Sequence, residues 1–370
     1  MRIAVIDRDR CQPKKCSMEC IKYCPRMRGG IKVIEISEDD HKPVISEELC
    51  VGCGICVHKC PFHAIHIENL AEELQKDIVH QYGVNGFRLF RLPLPRKHKV
   101  VGLLGENGIG KTTALNILSG KLKPNLGHMD HEPSWDDIID EWSGTEAAEF
   151  FKTVADGRLT VSYKPQYIDR LSYHKGTVQD FVEEMGVKGE GLEALMGRKM
   201  SEISGGELQQ LAITIATERE ADIYFFDEPS SYLDIKNRLE MSKKVRELAR
   251  DRMVVVVEHD LAVLDSLADI VHILYGKKGV YGVVAGAKGV RHGINLYLSG
   301  YLKEENVRFS EEITFEKHPP REIREKETLI SFEGLRKTLD GFELVVESGE
   351  IAKGDVIGIL GPNGIGKTTF

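Results

Sequence analysis

The sequence predicts an α/β nucleotide-binding fold behind a small cysteine-rich α+β domain, and three observations predict it. All eight cysteines fall within the first 60 of 370 residues. After Lys99 the run VVGLLGENGIGKTTALNIL joins an apolar strand, a glycine loop and a helical pattern. Residues Gly354–Phe370 then repeat His98–Ala114 at a constant offset that sets Lys367 on Lys111 and Thr368 on Thr112, so the chain carries an internal duplication.

Composition bounds the reading. With 41% hydrophobic and 29% charged residues, the chain is that of a soluble globular protein long enough for more than one domain. Apolar runs such as Met253–Val257 are strand-sized, far short of the ~18 residues a membrane span needs. The opening MRIAVIDRDR lacks a secretory apolar segment, which predicts a cytoplasmic protein with no membrane partner and disfavours disulfides. A net charge of -8 argues against indiscriminate nucleic-acid binding, but the charge is uneven. Residues 1–32 hold nine Lys or Arg against three acids, and residues 33–70 hold two against seven. The basic half suits phosphate, including RNA; equally, Arg10, Lys14, Lys15 and Lys22 would offset thiolate-bound metal.

The expected first domain, 1–70, is built on two cysteine groups. Cys50-x2-Cys53-x2-Cys56-x3-Cys60-Pro61 is the bacterial ferredoxin run, and Cys11-x4-Cys16-x3-Cys20-x3-Cys24-Pro25 is a looser copy ending in the same Cys-Pro step. Two groups imply two [4Fe-4S] clusters. With the last ligand crossed over as in ferredoxins, Cys24, Cys50, Cys53 and Cys56 would hold one, and Cys11, Cys16, Cys20 and Cys60 the other. Gly52 and Gly54 relieve crowding beside the metal. A pair of four-cysteine zinc sites or a disulfide framework are the competing readings. The nearby His58, His63 and His66 read as surface or packing residues.

In the nucleotide-binding segment, 71–292, Gly105, Asn107, Gly108 and Gly110 form a loop whose backbone N–H groups approach phosphates. Lys111 pairs with β/γ oxygens, while Thr112 and Thr113 open the helix, the former toward Mg2+. IYFFDEP delivers Asp227 for the Mg2+ shell and Glu228 as general base at a strand end. RMVVVVEHD places His259 at the end of another strand, and VSYKPQYI contributes Gln166, a further Mg2+ ligand. Glu228, His259 and Gln166 are the catalytic candidates, with Ser204 and Gly206 in SGGEL upstream and SYLD downstream. The repeat supplies a second loop, Gly361, Asn363, Gly364, Gly366, Lys367, Thr368 and Thr369. Because the sequence stops inside the helix that this loop should open, it reads as a piece of a longer protein.

In family order these elements resemble an ATP-binding cassette ATPase: phosphate loop, Q-loop Gln166, signature SGGEL, paired acids, D-loop and switch His259. The resemblance implies cassettes facing head to tail, so that Ser204 serves an ATP bound on the opposite cassette's loop. A two-cluster ferredoxin-like domain fused to tandem cassettes resembles the ABC-E subfamily, the ribosome-recycling ATPases also called RNase L inhibitors. The likeness extends to HQYGVNGFRLFRLPLP before the cassette and SGYLKEENVRF after it, a hinge assigned to 293–320, ahead of a second cassette at 321–370.

That resemblance implies an ATPase with two [4Fe-4S] clusters, ATP and Mg2+, docking on the small ribosomal subunit, both rRNA and proteins. It also implies a release or rescue factor as partner, with initiation factors as further candidates. Closure of the cassettes would swing a rigid head against the factor and split the subunits. Tyr82 and Phe87 would stack on adenine; packing of a leading strand is the alternative. The segment 124–151, with eight acids, no Lys or Arg, and Trp135 and Trp142 at heptad spacing, reads as a helix-loop-helix insertion. The resemblance makes it a ribosome contact, yet its charge is repelled by RNA, and a solvated acidic face over buried tryptophans is the competing reading. An ATP-gated electron carrier is the alternative function, because ligand spacing fixes cluster type better than redox role.

Overall fold

The computed structural model describes residues 2–314, 327–339, 341–363 and 365–370. In the head, β1 (Arg2–Ile6) runs antiparallel to β4 (Ile65–Asn69), and β2 (Ile34–Ile36) to β3 (Pro43–Ile45). Short helices α1 (Glu19–Lys22), α2 (Pro25–Arg28) and α3 (Ile55–Lys59) carry or follow the cysteine groups, with α1 packed on α3. RIAVI lacks the polar-apolar alternation of a half-exposed strand because it serves two cores. Ala4 and Ile6 pack inward with Val33, Ile34, Ile45 and Ile65. Ile3 and Val5 pack outward on Val280, which belongs to the next domain.

That domain is a mixed sheet. Its central strands β7 (Val100–Leu104), β9 (Ile223–Asp227) and β10 (Met253–Val257) are near-continuous apolar runs because both faces are covered. With β8 (Val161–Lys164) and β11 (Ile270–Lys277) they form a parallel block in the order β11-β7-β10-β9-β8. A mixed wing of β12 (Tyr281–Val284), β6 (Arg88–Phe90) and β5 (Ile78–Gln81) extends from β11: β12 runs antiparallel to β11, β6 parallel to β12 and β5 antiparallel to β6, and β13 (Lys288–Gly289) also pairs with β11.

Alternate strand residues feed separate cores. Leu104, Phe226 and Val256 meet α8 (Gly205–Glu218), α9 (Ile235–Leu248) and α10 (Leu261–Leu267) on one face. Leu103, Phe225 and Val257 meet α4 (Lys111–Leu118), α5 (Trp135–Glu141) and α6 (Glu146–Ala155) on the other. A third cluster joins α7 (Val178–Glu184) to the first turns of α8 through Phe181, Val182, Leu208 and Leu211.

The segment read as a helix-loop-helix insertion holds α5 and α6. Both tryptophans pack inward: Trp142 stacks on buried Phe151 at 4.9 Å between ring centroids and Trp135 at 6.4 Å. Ser134 caps α5 through a reciprocal pair with Asp137, so part of its acidity is helix-start chemistry. The stretch read as a hinge begins inside α11 (Val290–Ser299), followed by the hairpin β14 (Tyr301–Leu302) and β15 (Val307–Arg308). Leu302 and Phe309 pack with Tyr275, fastening this stretch to the sheet; residues 315–320 lie outside the described residues.

Beyond it, β16 (Thr328–Phe332) pairs with β19 (Gly349–Ala352), and β17 (Leu335–Leu339) with β18 (Phe342–Val346). The repeat of the phosphate-loop strand differs from expectation. Residues 355–360 form no strand, with Val356 92% and Leu360 84% exposed. Val100–Leu104 is a strand because β10 and β11 flank it; among the described residues no strand flanks 356–360.

Candidate nucleotide and iron–sulfur sites

At the carboxyl edge of the parallel block, β7, β8, β9 and β10 end side by side, delivering Gly105, Gln166, Glu228 and His259 to one cleft. The loop after β7 turns through Gly108 (φ +80) and Gly110 (φ +98), left-handed conformations that glycine adopts without penalty. A Cβ on Gly110 would also lie 2.9 Å from the Phe87 ring. The α4 N-terminus has no side-chain cap, leaving its backbone N–H groups free to face an anion. Lys111 Nζ folds back to the Gly105 and Glu106 carbonyls at 2.7 and 2.8 Å. Burial pushes its pKa down to about 8 against the pull of Glu228, Asp227 and Glu106.

Thr112 Oγ1 lies 3.4 Å from Asp227 Oδ2. Burial raises the Asp227 pKa and Glu228 adds to this, while Lys164 and Lys111 oppose it. Glu228 sits at φ +47, and its Oε1 accepts from Gln166 Nε2 at 2.7 Å. His259 Nε2 is 3.4 Å from the same oxygen; burial, with Lys111 adding, lowers the histidine's pKa against the opposing pull of Glu228 and Glu258. All three catalytic candidates thus meet at one carboxylate oxygen.

The cleft has a volume of about 470 Å3, and its walls include Tyr82, Phe87, Lys111, Thr112, Asp227 and Glu228. Tyr82 is 46% exposed at its mouth, with its hydroxyl 3.3 Å from Thr113 Oγ1 and its ring 6.4 Å from that of Phe87. A residue that chain reading passed over, Tyr167, lines the same cleft.

Ser204 and Gly206 lie apart from this cleft, at the start of α8. Ser204 and Glu207 form a reciprocal cap there, and Arg198 Nη1 holds Glu207 at 2.6 Å, an S-x-x-E signal legible in SGGE. Asn363 of the second phosphate loop docks beside them. Its N–H donates to Asp234 Oδ2 and its Nδ2 to the Tyr232 carbonyl, both at 3.1 Å. A Cβ on Gly206 would lie 3.4 Å from that same Nδ2. Lys367 Nζ folds onto the Gly361 and Pro362 carbonyls at 2.5 and 2.6 Å, repeating the pattern of Lys111. Gly366 (φ +89), Thr368 and Thr369 follow in a turn, and Gly364 lies outside the described residues.

None of the eight cysteines is disulfide-bonded, and they fall in two neighbourhoods. Burial pushes the Cys20 thiol up to about 11; Cys11, Cys16 and Cys60 add to this, and the Ile21 backbone opposes it. Burial, then Cys50, Cys53 and Cys24, push Cys56 up to about 12. Gly52 N–H donates to Cys50 Sγ and Ala64 N–H to Cys60 Sγ, each at 3.4 Å, bonds that favour thiolate. Four mutually repelling sulfurs in a half-buried pocket fit a polycationic cluster, which removes the cost of ionising them. Beside them the Tyr23 ring carries Lys22, Arg28 and Lys59 at 5.4 to 5.9 Å.

The head is joined to the cleft by Asn85, which chain reading also missed because N-G signals only a turn. Asn85 is 3% exposed, on the loop between Tyr82 and Phe87. Its Nδ2 donates to the Ala4 and Ile45 carbonyls, both at 3.0 Å, and its Oδ1 accepts from Ile45 N–H at 2.7 Å. Arg88 grips Glu47 with bonds of 2.8 and 2.9 Å, and Lys277 pairs with Glu68.

Comparison with known proteins accords with this layout. The family described as ABC transporter matches residues 94–231, a possible Fer4-like domain in RNase L inhibitor matches 1–32, and a 4Fe-4S binding domain matches 43–66. An uncharacterized ABC transporter ATP-binding protein of Methanocaldococcus jannaschii is 53% identical across the whole chain, which spans 63% of that protein. A model of ribosome-bound archaeal Pelota and ABCE1 superposes with a TM-score of 0.94 at 51% identity, covering all of this chain and 64% of the other. A crystal structure of archaeal ribosomal stalk protein aP1 with the archaeal ribosome recycling factor aABCE1 gives 0.73 at 48% identity, over 80% of this chain and 59% of that one. The chain therefore spans somewhat under two thirds of the relatives it matches. Among the described residues no helix is long and apolar enough to cross a membrane.

Proposed function

Because this chain belongs to the ABC-E, or RNase L inhibitor, family of iron–sulfur ABC ATPases, we propose that it forms the leading part of an ATP-driven ribosome recycling factor. ATP binds with its phosphates on the loop 105–112 and its adenine against Tyr82 and Phe87. Glu228 takes a proton from a water that attacks the γ-phosphorus; the bond to the bridging oxygen breaks, and ADP and phosphate leave. Gln166 and His259 hold the Glu228 carboxylate in place for that transfer. Thr112, Gln166 and Asp227 would hold Mg2+, which neutralises phosphate charge when bound. Ser204 and Gly206 serve a second nucleotide on the loop bearing Lys367, a pairing supported by the Asn363 contact with Tyr232 and Asp234.

Cys11, Cys16, Cys20 and Cys60 would ligate one [4Fe-4S] cluster, and Cys24, Cys50, Cys53 and Cys56 the other. The clusters supply cross-links to a head whose own apolar core is small. One observation carries the mechanical reading: the loop expected to grip adenine is the loop whose Asn85 is buried in the head. A change in Tyr82 or Phe87 on nucleotide binding therefore reaches the head along the short loop that joins each of them to Asn85. In this reading the head is driven against a release or rescue factor, the basic ring around Tyr23 faces rRNA phosphate, and ribosomal subunits part. Sedimentation of the full-length protein with small ribosomal subunits tests it. Retention with a non-hydrolysable ATP analogue and release without it is expected, and equal retention in both would overturn the proposal.

A further inference from the structure

Lys164 ends strand β8 on its buried phase. Ser162, two residues earlier on the same face, bonds the Ala216 carbonyl at 2.7 Å, and Lys164 itself is only 1% exposed. A buried lysine at a strand end, where an apolar residue would pack at less cost, calls for a reason. Its ammonium lies behind the paired acids, and its hydrogen bonds go to their backbone: Nζ donates to the Asp227 carbonyl at 2.9 Å and the Glu228 carbonyl at 3.2 Å. Gln209, from α8, approaches the same turn and donates to the Glu228 and Pro229 carbonyls at 3.0 and 2.8 Å. Three successive carbonyls are thus turned inward onto two buried donors.

The turn they hold is strained. Glu228 occupies the left-handed region at φ +47, which a side-chain-bearing residue keeps only when its surroundings over-determine it. That conformation sends the Glu228 carboxylate out to Gln166 and His259 while its carbonyl points back to Lys164.

We infer that Lys164 is a positioning residue for ATP hydrolysis, fixing the backbone of the Asp227–Glu228 turn so that the Glu228 carboxylate faces the attacking water. This rests on the reading of Glu228 as the base. Lys164 lies behind the cleft wall and not on it, and it acts through Glu228.

The test compares Lys164→Met, Lys164→Gln, Glu228→Gln and the double variant Lys164→Met/Glu228→Gln in the full-length protein. For each, iron content is checked, ATP turnover is measured, and affinity is read with a fluorescent ATP analogue. Lys164→Met should lose roughly 10- to 100-fold in kcat with affinity within about threefold. Lys164→Gln, which keeps one donor without the charge, should fall between it and the parent and serves as the probe if the methionine variant does not fold. The double variant should be no slower than Glu228→Gln alone. Parental turnover in Lys164→Met, or turnover and affinity falling together in both Lys164 variants, would overturn the inference. Parental turnover in Glu228→Gln would instead overturn the reading on which it rests.

Discussion

Replacing Asn85 by glycine should loosen the joint between head and cassette without harming either part. Asn85 sits at φ +56, which glycine tolerates, so the substitution removes the side chain and adds no backbone strain. Three hydrogen bonds disappear, two to the Ala4 and Ile45 carbonyls and one from the Ile45 N–H, in a site from which water is excluded. At about 1 kcal/mol net each, the loss is about 3 kcal/mol, a factor of roughly 100 in the opening equilibrium of the joint. Amide hydrogen exchange in the full-length protein reads it. The reporter is the Ile6 N–H, which donates at 2.8 Å to the carbonyl of residue 85 and so keeps its acceptor. Its exchange should quicken about 100-fold, while the Cys60 amide, bonded inside the head to the Cys56 carbonyl, should not change. An Ile6 rate within about threefold of the parent would refute the reasoning and assign the joint to Arg88–Glu47 and the Ile3, Val5 and Val280 contact.

Three further outcomes follow from the geometry. Glu228→Gln should bind ATP with parental affinity while turnover at the Lys111 loop drops at least ~100-fold; single-turnover hydrolysis measures it, and unchanged turnover would remove Glu228 as the base. Cys60→Ser should deplete iron and destabilise the head, because Cys60 stands with Cys11, Cys16 and Cys20; full iron content by elemental analysis would contradict the crossed assignment. Gly282→Ala would put a Cβ 1.8 Å from the Ile109 carbonyl oxygen in the phosphate loop, with no flexible side chain to yield. The expected cost of about 3 kcal/mol would lower the melting temperature by roughly 6 to 12 °C, and a shift under about 2 °C would show that the loop moves aside freely.

What could be read along the chain was what is encoded locally or by burial on both faces. VVGLL, IYFFD and MVVVV announce central strands because no alternation is needed where helices cover both sides, and their ends announce the cleft. Tryptophans at heptad spacing announce the α5–α6 pair because Phe151 receives both rings. Asn85 was illegible because its partners, Ala4 and Ile45, lie 81 and 40 residues away and offer only backbone. Lys164 left a fainter trace. In V-S-Y-K the residues at positions 162 and 164 share a face, and that this is the inward face emerges only once Ala216 is seen bonded to Ser162.

The two phosphate loops separate local from tertiary encoding within one molecule. Lys111 and Lys367 both fold onto the carbonyls six and five residues before them, although a strand leads into the first loop and none into the second. The lysine-inward loop therefore forms without the strand that leads into it, whereas the strand needs flanking strands. Phosphate binding draws on both levels: glycines shape the cradle, and the aligned N–H groups of α4 supply the positive end. The first loop has both, so Lys111→Ala should abolish ATP binding in the cleft walled by Tyr82 and Phe87, while Lys367→Ala should leave the affinity of that cleft within about twofold. Binding of a fluorescent ATP analogue decides the matter, and equal losses from the two substitutions would show that the Lys111 cleft does not bind nucleotide by itself.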